Sequence, residues 1–458
     1  MKQVFTVFLS TILATNLFGQ VQTEGVLILN GGQFGNPTDN ANLSWYQPGT
    51  NTYTSLDTIQ TQSVQRLIVD GPFAYAAAQD SIVMYDIPNG TRVAAEAFNA
   101  PSTLSLALAG DYLLAGNWYL PFGWPGGPFP NHLRVFDRNT LAFVDSMPAV
   151  TQPAKEIVVL GDTAYISQNY TSSAFSDSAG WLVKVHVPTL TYVDSVDLSL
   201  GVAGLGRLVV QDSIIYGLNS GSNTVSMYDP STGMAMTVAA NADFQLGTTG
   251  NQWAFDEQGT FYAKIGGVVA TYDLASQMIL NPIVVDTSVT EFVVDTVQDR
   301  IYLSHTDFFS YLGGVIYDVN GQRLDTFLVG SSPEAMAVVY NTTPVADVDV
   351  DTTVNTTVVE IPVLENDVDP DLRTAFQVEI VTPSTGQAVV SGENLVYTPT
   401  SGFVGKDSVQ YRILDEWGAA DTTWTFIEVE PVVSREQDWL PLSWTSYPNP
   451  VQDLLHIQ

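Results

Sequence analysis

Arg66–Phe98 reads RLIVDGPFAYAAAQDSIVMYDIPNGTRVAAEAF, four short apolar runs separated by turn residues. Val, Ile, Tyr, Phe and Ala fill the runs, and Gly71-Pro72, Gln79-Asp80 and Pro88-Asn89-Gly90 divide them. Runs this short, bounded by Gly, Pro, Asn and Asp, read as strands and not as helices. The same order returns in RLVVQDSIIYGLNSGSNTVSMYDPSTGMAMTVAA, Arg207–Ala240. Working outward from these two stretches, seven copies of the unit fill Gly25 to Tyr340.

The copies align on their innermost strands. These are VQRLIV from Val64, LSLAL from Leu104, KEIVVL from Lys155, GRLVV from Gly206, QWAF from Gln252, EFVVD from Glu291 and EAMAVVY from Glu334. The last has no second strand after it. The first copy, GVLILN from Gly25, has second, third and fourth strands but no innermost one. The two defects are complementary, so Glu334–Tyr340 is expected to pair beside Val26–Asn30 and close a ring without free sheet edges. Four strands in each period of about 40–50 residues mark a β-propeller. The predicted fold class is all-β: a seven-bladed β-propeller over residues 24–340, followed by an Ig-like β-sandwich.

Third strands end alike, in VMYD at Asp86, RVFD at Asp137, SMYD at Asp229, ATYD at Asp273 and VIYD at Asp318, each before a turn such as PNG or PSTG. Asp suits this place because its carboxylate bonds the backbone of the turn it opens. Blade four departs, with KVHV ending at Val187. This strand and turn rhythm resembles the YVTN-repeat family of β-propellers from Gly25 to Tyr340. The resemblance implies the fold, and no particular activity, because propellers host many roles.

Composition agrees with an exported all-β protein. Charged residues make up 14% of the chain and hydrophobic ones 45%, enough to fill a core in each of two domains. Without cysteine there is no disulfide, thiolate nucleophile, thiol-bound metal or N-terminal lipoprotein anchor. The formal net charge of −33 repels phosphate backbones and anionic membranes, so no nucleic-acid partner is expected. Divalent cations and cationic polymers remain compatible.

Two address labels flank the folded parts. MKQVFTVFLSTILATNLFGQ has a positive start at Lys2, an apolar stretch from Val4 to Leu17 and small Gly19 before a cut near Gln20. It reads as a secretory signal peptide over residues 1–19, and no other run is long enough to span a membrane after its removal. At the other end, TSYPNPVQDLLHIQ (residues 445–458) carries Tyr447-Pro448-Asn449-Pro450 and then apolar Leu454, Leu455 and Ile457. It resembles the opening of the C-terminal sorting domain read by the type IX secretion system. That resemblance implies the type IX machinery as a partner and export across inner and outer membranes, to the cell surface or beyond. The family's further strands do not follow Gln458, so residues 445–458 are expected to be a truncated sorting domain or the start of one in a chain given as a fragment.

Residues 344–431 form the second expected domain, and 432–444 a linker. Short alternating strands separated by Gly, Pro, Asn and Asp turns suit an Ig-like sandwich. Val363-Leu364-Glu365-Asn366-Asp367, Asp369-Pro370-Asp371, Tyr397-Thr398-Pro399, Gly402-Phe403, Gly405, Asp407 and Tyr411 resemble bacterial cadherin-like and Ig-like modules. Such modules act as spacers or adhesive units. Asp367, Asp369 and Asp371 alternate in a turn-rich loop, and hard Ca²⁺ takes clustered carboxylate oxygens. They are the candidate metal ligands, and a structural calcium is the one cofactor considered. Asp347, Asp349 and Asp351 form a similar run.

No catalytic residues are assigned. His132, His186, His305 and His456 show no metal-ligand spacing, and there is no HExxH, GxSxG or phosphate-binding Gly loop. GVAGLG at Gly201 has the wrong glycine spacing. The chain is therefore read as a non-enzyme. A carboxylate pair acting on extracellular polysaccharide is the alternative reading, and a structural surface-layer component a further one.

Four insertions break the repeat: GGQFGNPTDN after Asn30, NWYLPFGWPGGPFPNH after Gly116, SQNYTSSAFSDSAGW after Ile166 and SHTDFFSYLGG after Leu303. Each falls between second and third strands, on the side of the loops that join consecutive blades. Insertions on one face of a repeat fold commonly mark its binding side. Their aromatic residues Trp118, Tyr119, Trp124, Tyr170, Trp181, Phe308 and Phe309 are the candidate ligand-binding residues, because aromatic faces stack on sugars and cap apolar surfaces. The expected partner is an extracellular glycan or protein.

Overall fold

A computed structural model describes residues 19–432, apart from 34, 80, 98–102, 118–131, 172–176, 199–204, 221, 248–249, 251, 286–288, 307–312 and 372–375. The signal-peptide stretch up to residue 18 and the sorting-domain tail lie outside the described residues. Every regular element in the described residues is a strand. The chain divides into two compact units. The first comprises Met1–Pro344 with Asp369–Thr374 and Asp415–Ala419, and the second Val345–Val368, Ala375–Leu414 and the chain from Ala420 onward.

Among its described residues the first unit holds seven four-stranded antiparallel sheets, packed as propeller-like blades. Six run outward in chain order from inner strands Val64–Asp70, Thr103–Ala109, Ala154–Leu160, Arg207–Gln211, Trp253–Phe255 and Glu291–Asp295. The remaining blade takes its inner strand from the far end of the unit. Ser332–Thr342 pairs antiparallel with Val21–Gly31, placing Leu27 opposite Ala337 and Leu29 opposite Ala335. That strand also lies beside both Val64–Asp70 and Glu291–Asp295, so the inner strands return on themselves.

Burial falls from the inside outward within a blade. Phe73–Ala78, a second strand, is buried along almost its whole length, whereas the fourth strand Thr91–Ala97 is largely exposed and carries Thr, Arg and Glu. The apolar cores lie between neighbouring blades. Tyr75 and Met84 of one blade pack with Leu106, Leu113 and Phe136 of the next. Tyr46 and Met336 pack with Tyr302, Ile316 and Phe327 across the closing seam. Each large side chain buried there contributes about 1.5–3 kcal/mol, so a blade without its neighbour loses most of its stabilisation.

The aspartates ending the third strands act as the sequence indicates. Asp137 accepts from the backbone N–H groups of Asn139 and Thr140 at 3.0 and 2.8 Å, and Asp229, Asp273 and Asp318 cap their own turns in the same way. The Thr140 hydroxyl and backbone hold the Asp137 carboxyl below its ordinary value. These turns sit at the end of the blade opposite the insertions.

The second unit is an Ig-like sandwich. One sheet orders its strands Asp349–Val354, Ala420–Glu430, Gly405–Leu414 and Gln377–Thr382, and the other Val359–Ile361, Asn394–Thr398 and Gln387–Ser391. Alternate residues point inward, so Val409, Tyr411, Ile413, Ile427 and Val429 meet Ile361, Leu395 and Tyr397 in one core.

Candidate functional site

One position near the start of the inner strands is polar and buried in blade after blade. Arg66 lies opposite Ala77, Ser105 opposite Gly116, Glu156 opposite Ser167, Arg207 opposite Leu218 and Glu291 opposite Ser304. Gln252 takes the matching place, its carbonyl accepting from the Lys264 N–H at 3.2 Å. Antiparallel pairing puts this position at the blade end where second strands finish and the insertions begin. All six residues are buried.

Three of these side chains, Arg66, Glu156 and Arg207, meet across the ring. Glu156 Oε2 accepts from Arg66 Nη2 at 2.6 Å and from Arg207 Nη1 at 2.9 Å. Arg66 Nη1 also donates to the Gly250 carbonyl at 2.5 Å, and Arg207 Nη2 to the Gly247 carbonyl at 2.7 Å. The Gly250 N–H returns to the Gln65 carbonyl at 2.9 Å. Gln252 fixes the same stretch, donating to the Thr290 carbonyl at 2.9 Å. Gly250 has φ +61°, and a Cβ there would fall 1.9 Å from Glu291 Oε2, so the crossing requires glycine.

Burial, and then the neighbouring Arg66, pull the Arg207 guanidinium down from its ordinary value, while Glu156 and Glu291 oppose them. Two guanidiniums engage the same oxygen of Glu156, an arrangement that binds blades together. Removing one partner from such a buried group leaves an uncompensated charge.

Blade closure adds a further buried acid. Glu334 accepts from the Ser332 hydroxyl at 3.0 Å and packs against Gly31, where a Cβ would meet it at 2.3 Å. Burial pushes its carboxyl up to about 7, against the pull of that hydrogen bond.

The candidate aromatic residues fall unevenly on this face. Trp118, Tyr119, Trp124, Phe308 and Phe309 lie outside the described residues. Tyr170 belongs to strand Thr163–Thr171. Trp181 is half-buried on strand Asp177–His186, paired with Gln168 and Asp197. The insertion after Ile166, expected as a loop, instead continues both strands of its hairpin as far as Thr171 and from Asp177. The buried polar ring was not singled out from sequence. Its trace is the Arg or Glu that precedes the apolar run in VQRLIV, KEIVVL, GRLVV and EFVVD.

The candidate calcium ligands have different hydrogen-bond partners. Asp367, in the second unit, accepts from the Asp347 N–H at 2.8 Å and from the Tyr411 hydroxyl at 3.4 Å. Burial, aided by Asp349, pushes it up to about 7. Asp369 and Asp371, assigned to the first unit, adjoin each other, the Asp371 N–H donating to Asp369 at 3.2 Å. Burial and Asp371 push Asp369 up to about 8. Among the described residues no three His, Cys, Asp or Glu side chains converge as a metal site.

Residues 341–427 match the family model of the bacterial Ig domain. The match covers most of the second unit and agrees with its two sheets. No curated protein matches the chain. Among solved structures, a putative 6-phosphogluconolactonase from Bacteroides fragilis aligns at 13% identity over 69% of this chain and 98% of that one, with a TM-score of 0.46. A functionally unknown protein from Desulfotomaculum acetoxidans aligns at 9% identity over 69% and 99%, with a TM-score of 0.48. U3-55K aligns at 11% identity over 60% and 84%, with a TM-score of 0.43. Likeness at this level carries no function, and the fold rests on the strand order above. A bacterial Ig domain joined to propeller-like blades points to a surface or extracellular protein. No helix among the described residues is long and apolar enough to cross a membrane.

Proposed function

We propose that this chain is an exported binding or adhesion protein, a seven-bladed propeller whose insertion-bearing face takes an extracellular glycan or protein. One observation carries the reading: three buried charges at that end of the blades, Arg66, Glu156 and Arg207, are engaged with one another. Recognition on that face then falls to the inserted loops and their aromatic side chains. The signal peptide and the YPNP tail supply the route, through the type IX machinery.

A glycan array probed with the full chain tests the reading. Trp118→Ala, Trp124→Ala and Trp181→Ala are expected to weaken the binding found there by about 2 kcal/mol or more for an anchoring residue, with the melting temperature nearly unchanged. Loss of folding without loss of binding per folded molecule would make these residues packing elements. Turnover of a bound polysaccharide would favour an enzyme instead.

A further inference from the structure

The second unit carries an aromatic surface that the propeller-face reading does not use. Along strand Ala420–Glu430 the inward residues Thr423, Thr425, Ile427 and Val429 are buried, so Trp424 and Phe426 stand on the outer face of the four-stranded sheet. Their ring centroids are 6.4 Å apart and their planes only 16° from parallel. Phe426 is 45% exposed and Val350, its partner on the adjacent strand, 76% exposed. Ser408 lies opposite Phe426 and Gln410 opposite Trp424, extending the face as a strip of uncharged polar groups.

The charge of this face identifies its occupant. The chain carries 48 acidic and 15 basic residues. On this sheet, however, Lys406 lies directly opposite Glu428, and Arg412 is bonded to Glu379. Glu430 stands at the end of the strand, and the strip itself carries no charge. A second copy would bring its own net charge of −33 against the first, and an anionic polymer would meet the same repulsion. A neutral polymer meets none. Exposed aromatic rings beside amide and hydroxyl groups suit the C–H faces of pyranose units and their hydroxyls.

We infer that the outer sheet face of the Ig-like unit, centred on Trp424 and Phe426, is a second binding site, for an uncharged polysaccharide with flat, successive pyranose faces. The site goes beyond the propeller-face reading and stands without it.

The test uses the full chain and affinity electrophoresis through gels containing barley β-glucan, hydroxyethylcellulose or, as the anionic control, alginate. The wild type is expected to be retarded by a neutral glucan and not by alginate. Trp424→Ala with Phe426→Ala should weaken that retardation at least about tenfold with an unchanged melting temperature, and Trp424→Tyr with Phe426→Tyr should restore most of it. Met234→Ala with Met236→Ala, exposed on the outermost strand of a blade, should leave it intact, which separates this site from nonspecific apolar binding. Absence of retardation in both neutral glucans overturns the proposal, as does equal retardation of the double alanine variant. Sedimentation equilibrium supplies the remaining arm: a wild-type dimer that the alanine pair converts to monomer would make a second copy the occupant and overturn the glycan.

Discussion

Both units bury carboxylates, and they neutralise them in opposite ways. In the blades, Glu156 is matched by the charged guanidiniums of Arg66 and Arg207. In the Ig-like unit, Asp407 is matched by neutral donors: the Tyr397 hydroxyl at 2.7 Å and the N–H groups of Thr385, Gly386 and Ser408 at 3.0, 2.9 and 2.9 Å. Burial pushes Asp407 up, but these four donors outweigh it and hold the carboxyl below its ordinary value. The first solution ties distant parts of the chain together and fails if one member is lost. The second is built from one neighbourhood and shares the load among several bonds.

The largest effect should therefore come from Glu156→Ala, which strands two buried arginines. A loss of about 3–5 kcal/mol is expected by chemical denaturation. A loss below about 1 kcal/mol would mean that the arginines find other partners and that the ring does not depend on the charge match.

Next comes the pH dependence of Glu334. Its folded value, about 7, lies above the ordinary 4.5. The folded protein thus holds the proton more tightly, and the resulting stability is present below pH ~4.5 and lost as pH rises towards 7. The difference corresponds to about 3 kcal/mol. Glu334→Gln should flatten this part of the stability-against-pH curve, and an unchanged slope would place the titration elsewhere. Asp407 has the opposite sign. Its carboxyl is depressed, so its contribution is present above the unfolded-state value near 4 and lost as pH falls through the lower folded-state one.

The local solution can be probed one bond at a time. Tyr397→Phe removes one donor of four and should cost about 1 kcal/mol, whereas Asp407→Ala leaves every donor without its acceptor and should cost about 3 kcal/mol. Equal costs would show that the tyrosine bond carries the whole arrangement. Calcium should give a change of the same order as the single tyrosine bond. If Asp367, Asp369 and Asp371 take the ion with the millimolar affinity of extracellular modules, a tenfold excess adds about 1.4 kcal/mol. Identical melting curves of the full chain in calcium and in chelator would end that proposal.

Sequence carried most of the architecture. The unpaired EAMAVVY and the missing inner strand before GVLILN are visible as a complementary pair of defects, and Ser332–Thr342 does pair with Val21–Gly31. Turn aspartates were legible because their bonds are local. The charge network was not, because Arg66 and Glu156 are 90 residues apart and no local rule relates them. The segment after Ile166 reads differently for another reason: its serines resemble a loop, and only pairing across the hairpin reveals strands. Asp367 and Asp369 are close in sequence, yet their hydrogen bonds lead to different neighbours, which spacing alone does not encode.

The closing strand also sets a clock. Asn30 and Gly330, joined by a 2.8 Å hydrogen bond, are 300 residues apart. At about 5–20 residues per second of synthesis, the first blade waits roughly 15–60 s for its inner strand. Throughout that interval the edge of Val21–Gly31 is an open template for any other chain. Completion of the ring is thus a late, long-range event whose rate is set by loop closure and not by local strand formation. A chain released before residue 332 would lack the inner strand of its first sheet and expose one adhesive edge, the form most prone to pair with its neighbours.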